Sequence, residues 1–204
     1  MWGLGPWGGY GATPLPERFQ RLWDQVKHVV RGGFPYSEGI YEDANKVVEL
    51  GFYWNPDTTA EESLREYIGY EFPGANVDDV LEMIRGIERN HSTVFEGSAP
   101  DLGLAERALE IARSVDASLI PFAKGSWRWR QLYLRAVIDW ERYAAAVAAG
   151  WEGNAHWGAL VADNERAQAA FRELMDIYHC HDTIDEAHPQ HAWVRPQIAQ
   201  PEWT

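Results

Sequence analysis

Gly32-Gly33-Phe34-Pro35-Tyr36-Ser37-Glu38-Gly39-Ile40-Tyr41-Glu42-Asp43 is the stretch on which the reading of this chain turns. Its adjacent glycines permit backbone conformations that other residues avoid. Pro35 drives Phe34 into an extended conformation. Ser37 then caps a helix whose first turn holds Glu38, an acid suited to the helix dipole. The stretch therefore reads as a loop entering a helix. On that helix Glu38 and Glu42 stand four apart and share a face. Like charges so placed repel, which a cation, a network of sugar hydroxyls or a shared proton would relieve. A solvated helix start with acidic capping is the other reading of the same residues.

Toward the N-terminus, residues 1–13 place Trp2, Trp7 and Tyr10 among five glycines without any period, which reads as coil. An aromatic, glycine-rich coil resembles the interior of a longer chain, so a truncated product or an excised fragment is expected. Pro14 and Pro16 introduce a first helix with Phe19, Leu22, Trp23, Val26, Val29 and Val30 on one stripe, closed by Gly32. A second helix from about Ser37 carries Ile40, Ala44, Val47 and Val48. Phe34-Pro35-Tyr36 and Phe52-Tyr53-Trp54 are the two short strand candidates. After the Asn55-Pro56-Asp57 turn, Thr59 and Glu62 form a capping box for a helix that stops before Pro73. Asn76 caps the next helix, and residues 92–100 read as a loop. Further helices are expected over 101–121, over 124–149 and from about 155, with an irregular tail from 182. The 124–149 helix is apolar on most of its surface and belongs at the centre of a bundle.

The bulk numbers narrow the function. The net charge of −13 argues against nucleic acid, whose phosphates want a basic face, and does not suit an anionic membrane surface. No apolar run reaches the roughly 20 residues of a membrane span. The first residues lack the basic and apolar regions of a signal peptide, which points to the cytoplasm for the chain as it stands and to export only if a leader precedes it. A single cysteine, Cys180, forms no internal disulfide framework. Eleven tryptophans are the oddity, since their flat faces pack cores and also stack on sugar rings.

Residues 33–43, then Tyr53-Trp54-Asn55-Pro56-Asp57, then Glu62 through Glu71, resemble the end of the catalytic barrel in bacterial glycoside-hydrolase-like proteins, broadly those around β-N-acetylhexosaminidases and α-glucuronidases. Ser126 through Ala136 is similar to the helical domain that follows such a barrel. The resemblance implies a mainly α fold: residues 1–74 as the last βα part of a TIM barrel, and 75–204 as a helical bundle with an irregular tail. It implies a carbohydrate substrate at the C-terminal face of the barrel. It supplies no acid/base pair, because the principal carboxylates of such barrels lie on earlier strands.

Glycoside hydrolysis uses two carboxyl groups about 5–9 Å apart that flank the scissile bond. Glu38 and Glu42 are the catalytic candidates. Carboxylates on one helix turn approach a sugar from one side, so they read as hydroxyl-binding or assisting groups rather than as a complete catalytic pair. Tyr36, Tyr41, Asp43 and Trp54 are the substrate-binding candidates, with an interface role as the alternative for Trp54. Arg128, Arg130 and Arg135 on the apolar helix need acidic partners such as Asp116, Asp139 or Glu141. His179-Cys180-His181-Asp182, with His188 and His191, has no structural zinc spacing, so neither metal nor other cofactor is expected. A barrel end without its barrel exposes apolar surface, through which self-association is expected. The competing reading is a non-catalytic helical module that binds carbohydrate or serves structure and interaction.

Overall fold

A computed structural model describes residues 11–35, 40–151 and 164–179. The first helix, α1, spans Pro16–Val26. Proline at the first position presets its backbone, but no side chain of the preceding loop caps it. The cap comes instead from the middle of the chain: the Glu88 carboxylate accepts from the Glu17 and Arg18 backbone N–H groups, both at 2.9 Å. Burial raises the Glu88 pKa. The helix ends short of Gly32, and Val29 and Val30 stand exposed beyond it rather than on its buried stripe.

A 3-10 turn over Ile40–Glu42 leads into α2, Asp43–Trp54. Phe52-Tyr53-Trp54, expected as a short strand, is the last turn of this helix. A helix puts Ala44, Val48 and Phe52 on one buried face, and Phe52 stacks flat on Trp23 at 5.3 Å. Packing thereby overrides the β-propensity of three aromatics in a row. Gly51 contributes too, because a Cβ there would strike the Ser63 hydroxyl of the next helix.

That helix, α3, spans Ala60–Glu71 and opens with the expected Thr59–Glu62 capping box. Asn76 caps α4, Val77–Phe95, which runs on through the first residues of the expected loop. Asn90 exchanges two hydrogen bonds with the Asp101 backbone, at 2.8 and 2.9 Å, and so ties down the turn before α5, Leu102–Ser118. Then come the short α6, Pro121–Lys124, the long α7, Trp127–Ala148, and α8, Glu165–His179. Among the described residues no strand forms, and no helix is long and apolar enough to cross a membrane.

The helices form a bundle in which α4 packs on α5, α5 on α7 and α7 on α8, with α2 and α3 paired beside them. One core joins Trp23, Phe52, Ile68, Phe72, Ile84 and Trp129, so helices on both sides of residue 75 share it. Residues 12–18 are held against the bundle by buried polar side chains from three helices. Asn45 accepts from the Leu15 N–H and donates to the Thr13 carbonyl, Arg135 donates to the Ala12 carbonyl, and Glu88 caps α1. Arg135 is itself paired with Asp139 at 2.8 Å, both side chains 4% exposed. A buried guanidinium needs such partners to offset its lost hydration.

Candidate functional site

The start of α2 brings sequence candidates to the joint between helices. Tyr41 is buried, and its hydroxyl donates to the Leu174 carbonyl on α8 at 2.8 Å. Asp43 Oδ2 accepts from the Tyr67 hydroxyl at 2.8 Å and from Arg128 Nε at 3.0 Å. Glu71 lies 3.6 Å from the same guanidinium, which stacks over the Trp127 ring at 4.4 Å. Burial first, and the Asp43 charge second, push the Tyr67 phenol well above its ordinary range. Tyr41 and Asp43 thus act here as anchors that fix α2 to α8, α3 and α7. Tyr36 and Glu38 lie outside the described residues, as do Cys180, His181, Asp182, His188 and His191.

Trp54 ends α2 and is 91% exposed. It presents a free aromatic face next to the turn that leads into α3. Phe34 is 94% exposed, whereas Phe52 is buried against Trp23. Trp2 and Trp7 lie outside the described residues, so of the apolar surface expected near the N-terminus the described part divides into an open Phe34 and a covered Phe52.

Glu42 finds a companion that the sequence reading missed. Glu49 lies seven residues on, hence on the same side of the helix. Burial raises its carboxyl pKa, and the Glu42 charge adds to the rise. Tyr53, four further on, is raised by burial and then by Glu49. The segment before α2 lies against this flank, since a Cβ on Gly33 would come within 2.7 Å of the Tyr53 ring. The spacing 42, 49, 53 was available in the sequence; the burial that perturbs Glu49 was not. A carboxyl so raised donates more readily to an oxygen ligand than an ordinary glutamate does. Glu42 and Glu49 nevertheless share one helix flank, so they address a ligand from one side. That geometry suits hydroxyl binding and not the flanking pair of a glycosidase.

The arginines of α7 are all paired. Arg130 meets Glu173 at 2.6 Å and Arg135 meets Asp139, so of the partners anticipated for them Asp139 is used directly. Asp116 stands 3.7 Å from Arg130 and accepts from the Trp129 indole at 3.1 Å. Glu141 turns instead to Asn164 and Arg166.

A cleft of about 660 Å³ opens elsewhere, between α1, the 57–59 turn, α3 and α4. None of the six sequence candidates lines it. Comparison of the chain with protein-family models, with curated proteins and with solved structures finds no match.

Proposed function

We propose that this chain is the helical, non-catalytic portion of a glycoside-hydrolase-like enzyme, which offers α2 as a sugar-contacting surface. The observation that carries this reading is the division of labour among the candidates on α2 and the turn before it. Asp43 is consumed by Arg128 and Tyr67, Tyr41 is buried against α8, and Trp54 alone presents an open aromatic face. On either side of residues 36–39 the described chain is anchored, Gly33 against Tyr53 and Tyr41 against Leu174. On this reading Glu38, Glu42 and Glu49 bind or orient hydroxyls, Trp54 stacks on a sugar face, and the acid/base pair belongs to another part of the enzyme. A helical module that serves carbohydrate binding or interaction without any barrel is the second reading, favoured by the single core that runs through residues 12–136.

Calorimetric titration of the chain with neutral oligosaccharides tests the proposal. Binding is expected, with no hydrolysis by the chain alone. An aromatic stacking contact is worth about 0.5–1.5 kcal/mol, so Trp54→Ala should weaken binding roughly two- to tenfold. Unchanged affinity in that variant would remove Trp54 from the sugar surface, and hydrolysis by the isolated chain would overturn the non-catalytic assignment.

A further inference from the structure

We propose that the outer stripe of α1, continued by the helical turn to residue 30, is a docking face for an acidic amphipathic helix of a partner protein. The proposal is independent of the carbohydrate reading and uses none of the α2 candidates.

Leu22, Val26, Val29 and Val30 recur at the spacing that puts side chains on one side of a helix. The helical turn runs past the end of α1, because the Val29 and Val30 N–H groups both donate to the Val26 carbonyl, at 2.9 and 3.0 Å. Such a stripe normally faces a core. Of α1, however, only Pro16 and Trp23 are buried, with Phe19 packed at the edge of the core. The four stripe residues are between 38% and 68% exposed, and Phe34 beyond them is open too. The face is held rigidly. Glu88 caps the start of the helix, Gln20 accepts from the Ala60 N–H at 2.7 Å, and the Trp23 indole donates to the Pro56 carbonyl at 3.0 Å. A partner therefore meets a surface that needs little ordering, which lowers the cost of association.

Charge selects the occupant. Residues 16–34 hold Arg18, Arg21, Lys27 and Arg31 against Glu17 and Asp24, a net of +2 within a chain of −13, so the remainder carries −15. Surface neighbours on a helix lie three and four residues apart. The charged residues so placed around the stripe are Arg18 and Lys27, both cationic, and Lys27 is bridged to Asp24 at 3.0 Å. Glu17 and Asp24 line the cleft on the other flank, whose walls include none of the stripe residues. Arg31 follows the stripe and is exposed. A single row of aliphatic side chains, about two and a half turns long, fits the ridges of another helix. Its cationic edge fits acids that flank that helix's own apolar stripe. A second copy seated through the same face would set cationic edge against cationic edge. An anionic lipid surface would be repelled by the charge carried elsewhere on the chain.

The test is fluorescence anisotropy of the full chain with two labelled peptides that share one leucine stripe at helical spacing, the first with glutamates on its outer positions and the second with glutamines. The glutamate peptide is expected to bind several-fold more tightly at low salt, and the difference should shrink as salt rises. Val26→Asp and Val29→Asp should each weaken binding roughly tenfold or more, as the loss of a covered valine side chain does. Arg18→Glu should weaken the glutamate peptide several-fold at low salt and less at high salt. Arg113→Glu, at an exposed cation on α5, should leave binding unchanged, with circular dichroism showing all four variants folded. Equal binding of the two peptides would overturn the acidic class. No binding of the glutamate peptide, or binding that Val26→Asp and Val29→Asp leave intact, would overturn the docking face. A dimer in sedimentation that Val26→Asp dissolves would seat a second copy there, and flotation with phosphatidylserine vesicles that Val26→Asp abolishes would seat a lipid surface there; either result overturns the partner helix.

Discussion

Arg128 and Asp43 are 85 residues apart in sequence and joined by a charge-assisted hydrogen bond, Nε to Oδ2, at 3.0 Å. The Asp43 side chain is 16% exposed and also accepts from Tyr67. The carboxylate that looked free for chemistry is thus a structural joint between α2, α3 and α7. Removing it leaves Arg128 facing Glu71 at 3.6 Å and the Tyr67 hydroxyl without its acceptor. Asp43→Ala should cost about 2–3 kcal/mol, and Asp43→Asn, which retains an acceptor, about 1 kcal/mol. Chemical denaturation checks both. An Asp43→Ala protein as stable as the parent would mean that the joint contributes nothing.

Two glycines on adjacent helices should respond to alanine with opposite signs. Alanine favours a helix interior by up to about 1 kcal/mol over glycine. At Gly69 on α3 a Cβ meets nothing within 4 Å, so Gly69→Ala should stabilise. At Gly51 on α2 a Cβ would collide with Ser63, and Gly51→Ala should destabilise by about 1–3 kcal/mol. The companion change Ser63→Gly should recover part of the loss. Thermal unfolding of the three variants reads the signs directly.

Stability should fall on mild acidification because of His91. Burial first, and then Arg135, Arg142 and Arg18, push its pKa down from 6.5 to about 3. The unfolded chain binds this proton below 6.5 while the folded chain refuses it until about 3. The stabilisation is therefore complete above 6.5 and is lost as the pH falls through that window. At pH 5 the expected loss is about 1–2 kcal/mol relative to pH 7. Glu88 works the other way: its raised carboxyl gives stability that is present below 4.5 and lost as pH rises through its folded value. Comparing the parent with His91→Asn by denaturant titration at pH 7 and pH 5 isolates the histidine, and an equal drop in both proteins would acquit it.

The cap that α4 lends to α1 has its own signature. Glu88→Ala leaves two backbone N–H groups of α1 without their acceptor in a half-buried setting, at a cost of about 1–3 kcal/mol. Glu88→Gln retains one acceptor oxygen and should cost less. Hydrogen exchange at the Glu17 and Arg18 amides is the specific readout: both should exchange faster in Glu88→Ala. Amides as protected as in the parent would show that the cap lies elsewhere.

What the sequence determined by itself is local. Capping chemistry at Thr59–Glu62 and at Asn76 marked helix starts, because a side-chain oxygen that satisfies a free backbone N–H needs only its own neighbours. Apolar stripes at helical spacing marked α3 to α5, α7 and α8 and hence the mainly α class. What tertiary structure decided is everything that depends on a distant partner. Phe52-Tyr53-Trp54 is helical because Trp23 offers Phe52 a ring to stack on. Asp43 is spent because Arg128 arrives from 85 residues away, and Tyr41 is buried because α8 covers it. Glu49 shifts its proton affinity only once burial removes its water. Glu88 gave no signal at all, since a carboxylate in the middle of an amphipathic helix declares nothing until α1 lays its first turn against it. The cleft beside α1 has no sequence signature either: its walls come from residues 16 to 85, and packing alone brings them face to face.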